Sequence, residues 1–465
     1  MIGRGAIVDR VREWGLREDI VEKDYALGWV LWAIGSEPAL STSWLFKGGT
    51  CLKKCYIETY RFSEDLDFTV TAGGPMQPEE LLPIFDTLLK RIGLESGIDF
   101  GIRPPYFRSR STRSTEARIY YRGPRNAPAP GSIKLDLTDN EVVIRPSVLR
   151  SIGHPYEDIL PNPAVVRCYG FEEVLAEKLR ALGERLRPRD LYDVVNLYWR
   201  PDLRAEPRLI LATLAEKCKW KGMAVPTYAS VESSPYRIEL ESEWKNMLAH
   251  QLPVLPPFEH FWEELPTLFA WLEGRQLLEE LPVLAPTGEE DATWSAPPVV
   301  WTWGVGVPLE TIRFAGANHL CVELRYGGTT RVIEPYSLRR TKEGNLVLHA
   351  IKVETREPRS YRVDRIQGIR VSTRAFRPVY AVEFSRVGPV VAPPTNWKVG
   401  TTTTRVSAIR GPKRSQSGQP SYVIKCVVCG KRFIRLHDST ALRPHKDSRG
   451  WQCLGRHGYM VDIRY

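Results

Sequence analysis

Two short stretches hold the residue types most able to do chemistry: Phe46-Lys47-Gly48-Gly49-Thr50 and, beyond a helix-length spacer, Arg61-Phe62-Ser63-Glu64-Asp65-Leu66-Asp67-Phe68. Glycine has no side chain, so Gly48 and Gly49 let backbone N–H groups approach an anion, and a helix starting near Thr50 adds the positive end of its dipole. A triphosphate suits such a turn. If Asp65-Leu66-Asp67-Phe68 is extended, its side chains alternate, so both carboxylates project to one face while Leu66 and Phe68 enter the core. Two converging hard oxygen donors suit Mg²⁺ or Mn²⁺. Each motif alone is a weak signal, because glycine turns and Asp-x-Asp are common. Joined by a spacer that carries Lys53 and ends in Arg61 and Ser63, they form a loop, helix and metal-strand arrangement.

A third carboxylate has to come from another strand. Ser132-Ile133-Lys134-Leu135-Asp136-Leu137-Thr138 alternates as a strand does, with Lys134 and Asp136 on its polar face. Asp136 is then a third metal ligand, a base for an attacking hydroxyl, or a solvent-facing aspartate on an edge strand. Phe171 to Leu182 reads as a helix. Its apolar face of Phe171, Val174, Leu175 and Leu182 takes in Lys178, which either snorkels out or meets an anion. Glu173 and Glu177 read as surface residues free to pair with Arg180. Arg187-Pro188-Arg189-Asp190-Leu191-Tyr192-Asp193 opens another helix, with Asp190 and Asp193 in its first turn, where negative charge is favoured.

The loop, helix and metal strand resemble the nucleotidyltransferase superfamily. Lys47 to Lys53 together with Arg61 to Asp67 look like the first motif of the AbiEii/AbiGii-type toxins, and Val21-Glu22-Lys23-Asp24-Tyr25 resembles the helix preceding it. Thr50 stands where the wider superfamily has serine, and the spacer is longer than usual. The likeness spans roughly residues 15 to 275. It implies catalytic roles for Asp65, Asp67, Asp136, Lys178 and Asp190. It also implies nucleotide contacts at Gly48, Gly49, Thr50, Lys53, Arg61 and Ser63, with Mg²⁺ on Asp65, Asp67 and Asp136. In the family's last motif the lysine contacts phosphate and an aspartate supports the site, which Lys178 and Asp190 match.

At 465 residues the chain exceeds one ordinary core. The expected class is α+β: a transferase core of mixed sheet and helices with a helical C-lobe (1–275), a linker (276–305), a small barrel-like or curled β domain (306–372), a basic connector (373–420) and a zinc ribbon (421–465). No apolar run is long enough to span a membrane and no signal core opens the chain, so a cytoplasmic protein is expected. The segment from Ser372 to Tyr465 has 17 Lys and Arg against 4 Asp and Glu, a net +13 against +10 for the whole chain. With Trp397, Phe433, Trp451 and Tyr459 interleaved, it reads as a nucleic-acid contact.

The small β domain resembles a WYL domain at Tyr326, Glu334-Pro335-Tyr336-Ser337-Leu338 and Arg359 to Ile366. The namesake Trp-Tyr-Leu is replaced by Leu346-Val347-Leu348. Arg359, Arg362 and Arg365 are candidate phosphate contacts or surface ion pairs. Cys426-Val427-Val428-Cys429-Gly430 is a metal knuckle, completed by His445 and Cys453 with His457 as the rival ligand. The other five cysteines read as isolated core residues. The resemblance to the toxin family implies an NTP-using transferase acting on RNA, a tRNA 3′ end foremost, restrained by an antitoxin in a phage-defence setting. The alternative is a nucleic-acid-binding regulator with a non-catalytic core.

Overall fold

In the core, elements alternate as their patterns dictate. The computed structural model describes residues 1–57, 60–200, 203, 205–277, 281–284, 309–384, 421–426, 429, 431–435, 442, 445–446, 452–453 and 458–464. Most of the expected linker (276–305), much of the connector (373–420), His457, Trp397 and Trp451 lie outside them, as do the side chains from 458 onward. There are two compact units, Met1–Trp397 and Lys398–Tyr465.

The first unit starts with helices α1 (Arg4–Trp14), α2 (Glu18–Ser36) and α3 (Pro38–Ser41). A seven-stranded mixed sheet follows: β1 (Trp44–Lys47), β2 (Asp65–Val70), β3 (Tyr106–Ser111), β4 (Ser114–Tyr121), β5 (Gly131–Thr138), β6 (Val148–Ser151) and β7 (Val165–Cys168). Its order is β3-β4-β5-β2-β1-β7-β6, with β2 parallel to β5 and β1 parallel to β7. Between β1 and β2 lies α4 (Gly48–Cys51), continued by a π-helical turn at Leu52–Tyr56.

Helix α5 (Pro78–Ser96) connects β2 to β3; it starts on a Gln77/Glu80 capping box and stops at Gly97, whose φ of 72° suits only glycine. Phe68 and Phe107 reach the α5 side of the sheet, through Trp44 and directly to Phe85 respectively. Because side chains alternate, Asp65, Asp67 and Arg108 then face the other way.

That opposite face meets α6 (Phe171–Arg185) and α7 (Pro188–Tyr198), backed by α8 (Pro207–Trp220), α9 (Tyr228–Glu232), α10 (Arg237–Leu248), α11 (Phe258–Trp262) and α12 (Leu265–Leu272). Helix α13 (Leu309–Ala317) leads into an antiparallel sheet of β8 (Leu320–Tyr326), β9 (Thr329–Arg340), β10 (Leu346–Lys352), β11 (Pro358–Arg362) and β12 (Ile366–Ala375), ordered β11-β10-β9-β8-β12. Among the described residues β11 and β12 do not pair, so the small β domain is a curled open sheet and not a closed barrel. The chain stays packed on this sheet beyond residue 372: Phe384 is buried and Glu383 bridges to Ser337. This module docks on the helical lobe, where Tyr192 donates to Asn318 Oδ1 at 2.8 Å and Trp199 lies 4.1 Å from the His319 ring.

The second unit holds β13 (Ser421–Cys426), β14 (Arg432–Arg435), β15 (His445–Lys446), β16 (Gln452–Cys453) and β17 (Gly458–Arg464), paired as a three-stranded sheet β14-β13-β17 and a two-stranded one, β15-β16.

Candidate active site

Pairing of β1 with β2 sets Lys47 opposite Asp67, and the turn after β1 closes onto that carboxylate. Gly48 has φ of +79°, and a Cβ there would lie 2.2 Å from Asp67 Oδ2. Only glycine permits both the backbone conformation and the contact. A Cβ on Gly49 would meet Arg61 Nη2 at 2.7 Å and Ser63 Oγ at 3.0 Å. Thr50 is buried and donates its hydroxyl to the Asp65 carbonyl at 2.5 Å, fastening the turn to the strand.

On the other side of β2, parallel β5 brings Asp136 opposite Asp67 and Lys134 opposite Asp65. Next to it, β4 places Glu116 opposite Asp136, and β3 places Arg108 opposite Glu116. One row, Lys47-Asp67-Asp136-Glu116-Arg108, thus crosses five strands. Asp136 lies on an interior strand, so the edge-strand reading of it does not hold.

These acids are costly to ionise together. Desolvation raises the pKa of Asp67 against the pull of Lys47, and Asp136 and Asp65 raise it further, to about 6. Asp65 is also raised, first by burial and, against Lys134, by Asp136. Asp136 accepts from Lys134 Nζ at 2.5 Å. Hard carboxylate oxygens in mutual repulsion are what a divalent cation relieves, so the donor chemistry suits Mg²⁺, although the ligand atoms of the three aspartates are not gathered within 4.8 Å of one another.

Helices α6 and α7 supply the cationic flank. Lys178 Nζ lies 2.7 Å from Asp193 Oδ2, and Arg61 grips the same carboxylate through Nε (2.7 Å) and Nη2 (2.8 Å) while bonding Gln251 at 3.0 Å. Asp193 is fully buried, which would raise its pKa, yet Arg61 and Lys178 hold it well below the usual carboxylate range. Of the two aspartates in α7, it is Asp193 and not Asp190 that meets Lys178. Asp190 sits in the first turn of α7 facing back to Arg185, which it binds at 2.7 and 2.9 Å. Arg61, expected on nucleotide, is buried and spent on Asp193. Lys53, expected on phosphate, lies over the rings of Phe62 (4.4 Å) and Trp14 (5.7 Å).

Glu173 and Glu177 are not surface residues either. Glu173 is buried, accepts the backbone N–H groups of Ile144 (3.1 Å) and Arg145 (2.8 Å), and pairs with Lys217 at 2.6 Å. Glu177 bridges Lys217 and Lys47, each at 3.4 Å. Burial works against its charge, but Lys47 and Lys217 overcome it and hold the carboxyl down to about 2. Lys47 is the mirror case: burial alone would lower its pKa, and Glu177, Glu141 and Asp67 raise it. Sequence reasoning missed Lys47, Glu177 and Lys217 because α6 is packed by α7, α8 and the sheet, so polarity does not mark its outer face.

Arg189 was also missed as a site group. Its Nε is buried with no hydrogen-bond partner, and Asp65 and Glu64 both bear on its charge. Burial and neighbouring Arg61 lower its pKa.

Away from this centre, Cys426, Cys429, His445 and Cys453 bring one ligand atom each within 4.8 Å of all the others. Cys426 and Cys453 Sγ are 3.8 Å apart, and Cys429 Sγ is 3.2 Å from His445 Nε2. Tetrahedral zinc with Zn–S of about 2.3 Å needs sulfurs about 3.8 Å apart, so the set fits. Cys51, Cys55 and Cys168, read as isolated, are buried together with their sulfurs within 4.8 Å. The β1–β7 pairing aligns Phe46 with Cys168 and so carries Cys168 to the segment after the glycine turn. In the second sheet, Arg359 pairs with Glu357 at 2.7 Å and Arg362 grips Asp364 at 3.0 and 2.7 Å. Arg365 is exposed and has no ion-pair partner among the described residues.

A glycine turn closed on paired aspartates, with a third aspartate on the adjoining parallel strand, defines a nucleotidyltransferase-type chain. The family model described as nucleotidyl transferase AbiEii toxin, Type IV toxin–antitoxin system, matches residues 29–267, over half of the sequence, and the chain belongs to that family. A WYL domain model matches residues 308–371. Among solved structures, JHP933 from Helicobacter pylori is similar at 17% identity and a TM-score of 0.37, covering 56% of this chain and 94% of that one. The proteasome accessory factor B/C (PafBC) of Arthrobacter aurescens is similar at 15% identity and a TM-score of 0.15, covering 63% and 41%. No curated protein matches. No helix among the described residues is long and apolar enough to cross a membrane.

Proposed function

We propose that this protein transfers a nucleoside monophosphate from an NTP to a hydroxyl of an RNA acceptor, the 3′ end of tRNA being the acceptor first in line, as the toxin of a cytoplasmic toxin–antitoxin pair active in phage defence. The observation that carries this reading is Asp65, Asp67 and Asp136 on one sheet face, against the Gly48 turn and flanked by Lys178. Backbone N–H groups of Gly48 and Gly49, with Ser63, receive the triphosphate, and Lys178 and Arg189 neutralise it. Arg61 positions Lys178 through Asp193, and Lys47 keeps Asp67 oriented. A divalent cation on Asp65, Asp67 and Asp136 would neutralise charge shared by the phosphates and the attacking oxygen.

Asp136 takes the proton of the acceptor hydroxyl as its oxygen bonds the α-phosphorus and pyrophosphate leaves. Catalysis on this reading is positioning and charge neutralisation. The C-terminal cluster holds a structural zinc, which supplies much of the folding free energy of so small a unit. An antitoxin protein is the expected partner, and the WYL module and basic tail contact nucleic acid.

The test is incubation with Mg²⁺, total tRNA and each α-labelled NTP, beside Asp65→Ala/Asp67→Ala. Label on RNA lost in the variant supports the reading; equal label in both sinks the site. The WYL match favours a second reading, a nucleic-acid-binding regulator. That reading expects binding which survives the double substitution and no incorporation of nucleotide.

A further inference from the structure

The face that carries the aspartates does not end at Asp136. It continues over β4 to the edge strand β3, and there its chemistry changes sign. Residues 101–121 hold five arginines and one acid, Glu116. Register and alternation place Tyr106, Arg108, Glu116, Arg118 and Tyr120 on the catalytic face, since Phe107 packs on Phe85 of α5 on the other. A register shift between Ser109 and Ser111 leaves Arg110 free to turn to Glu116, so the lone acid is neutralised by Arg110, with Arg118 at 3.8 Å.

These side chains reach solvent. Tyr106 is 53% exposed. Arg110 and Arg118 are about half exposed, and Arg108 is exposed with no ion-pair partner among the described residues. Arg103 lies over the Tyr120 ring at 4.3 Å. Cations interleaved with aromatic rings form the platform on which single-stranded nucleic acid lies, phosphates on arginine and bases on rings.

Direction also matters. The turn at Gly48 lies on the β1 side of Asp67, so a triphosphate seated there occupies one flank of the acids. An in-line attack brings the acceptor oxygen from the opposite flank, the β5-β4-β3 side. Strands about 4.8 Å apart put Arg108 about 14 Å from Asp67, within reach of the last few nucleotides of a strand.

We propose that the catalytic face of the β3–β4 hairpin is the docking track for the single-stranded 3′ segment of the acceptor RNA, with phosphates on Arg108, Arg110 and Arg118 and bases on Tyr106 and Tyr120. This rests on the transferase reading for its direction, and its test is separable from that reading. A 5′-fluorescein single-stranded 12-mer RNA is titrated by anisotropy with the full chain, with Arg108→Ala/Arg118→Ala, with Tyr106→Ala, and with Lys90→Ala, which removes an exposed cation from α5 on the far side of the sheet.

The double arginine variant should weaken binding about tenfold or more and flatten the salt slope by about 1.4, two contacts at about 0.7 each. Tyr106→Ala should weaken it about fivefold or more. Lys90→Ala should not change it. In transfer assays the same variants should raise KM for RNA and leave KM for NTP unchanged. An unchanged Kd and salt slope in the hairpin variants overturns the proposal even if transfer proceeds, and so does failure of the parent to bind the 12-mer. RNA binding lost with the hairpin arginines, but no transfer by the parent, would keep the track and remove the transferase reading. Since these are exposed positions, a Tm equal to the parent's verifies that each variant is folded.

Discussion

Replacing Gly48 by alanine tests whether the glycine turn and the metal strand work as one unit. The added Cβ would lie 2.2 Å from Asp67 Oδ2, whereas ordinary contact begins near 3.4 Å. Asp67 or the turn must therefore move by roughly 1.2 Å, and a displacement of that size at a reacting centre costs about 10²-fold in rate. The left-handed φ of +79° adds about 1–2 kcal/mol of strain. Gly73 is the internal control: its φ is +82°, but nothing lies within 4 Å of an added Cβ. Gly73→Ala should lower Tm by a similar amount and leave transfer intact, while Gly48→Ala should lower both. The assay is α-labelled nucleotide transfer at saturating NTP, alongside thermal unfolding. Equal activity in the two variants would refute the argument that Asp67 is set by contact with the turn.

Other outcomes follow from the same geometry. Asp193→Asn leaves Arg61 and Lys178 uncompensated in a buried setting and should cost about 3–5 kcal/mol in chemical denaturation, well above Asp190→Asn, whose partner Arg185 is largely exposed. Arg189→Ala should raise KM for NTP with little change in Tm, as its Nε has no hydrogen-bond partner to lose. Glu13, where α1 faces Glu310 and Arg313 of α13, is raised by burial to about 7. A raised acid stabilises the fold fully below its unfolded pKa near 4.5 and loses that contribution as pH climbs through 7. Stability should fall by about 3 kcal/mol across that window, and Glu13→Gln should flatten the profile in denaturation at several pH values. Cys453→Ser should remove one equivalent of bound zinc measured on the purified full chain, and a chelator should do the same to the parent.

The residues of the candidate site were largely legible from local order because their spacing is local. Gly48-Gly49 before a helix, Asp65-x-Asp67 in an extended run and Lys134-x-Asp136 in another each declare a face by period alone, and the metal knuckle Cys426-x-x-Cys429 does so by spacing. What local order could not supply was which strand lies beside which. Period two says that Asp67 and Asp136 point out of their strands, but only the parallel β2–β5 register makes them neighbours, and only the β3–β4 pairing extends that row to Arg108. In the same way, Asp190 and Asp193 are equivalent by position in a first helical turn. Tertiary packing separates them, since Arg61 arrives from a segment more than a hundred residues away and reaches only Asp193. Glu173 and Glu177 look like solvent on a helical wheel, yet Glu173 is buried and Glu177 mostly covered once α8 delivers Lys217, because burial is a property of what packs against a face. Sequence alone determined which candidate groups the chain offers and the faces they take. Tertiary structure decided their partners, since a buried charge is stable only where the fold brings its counter-charge.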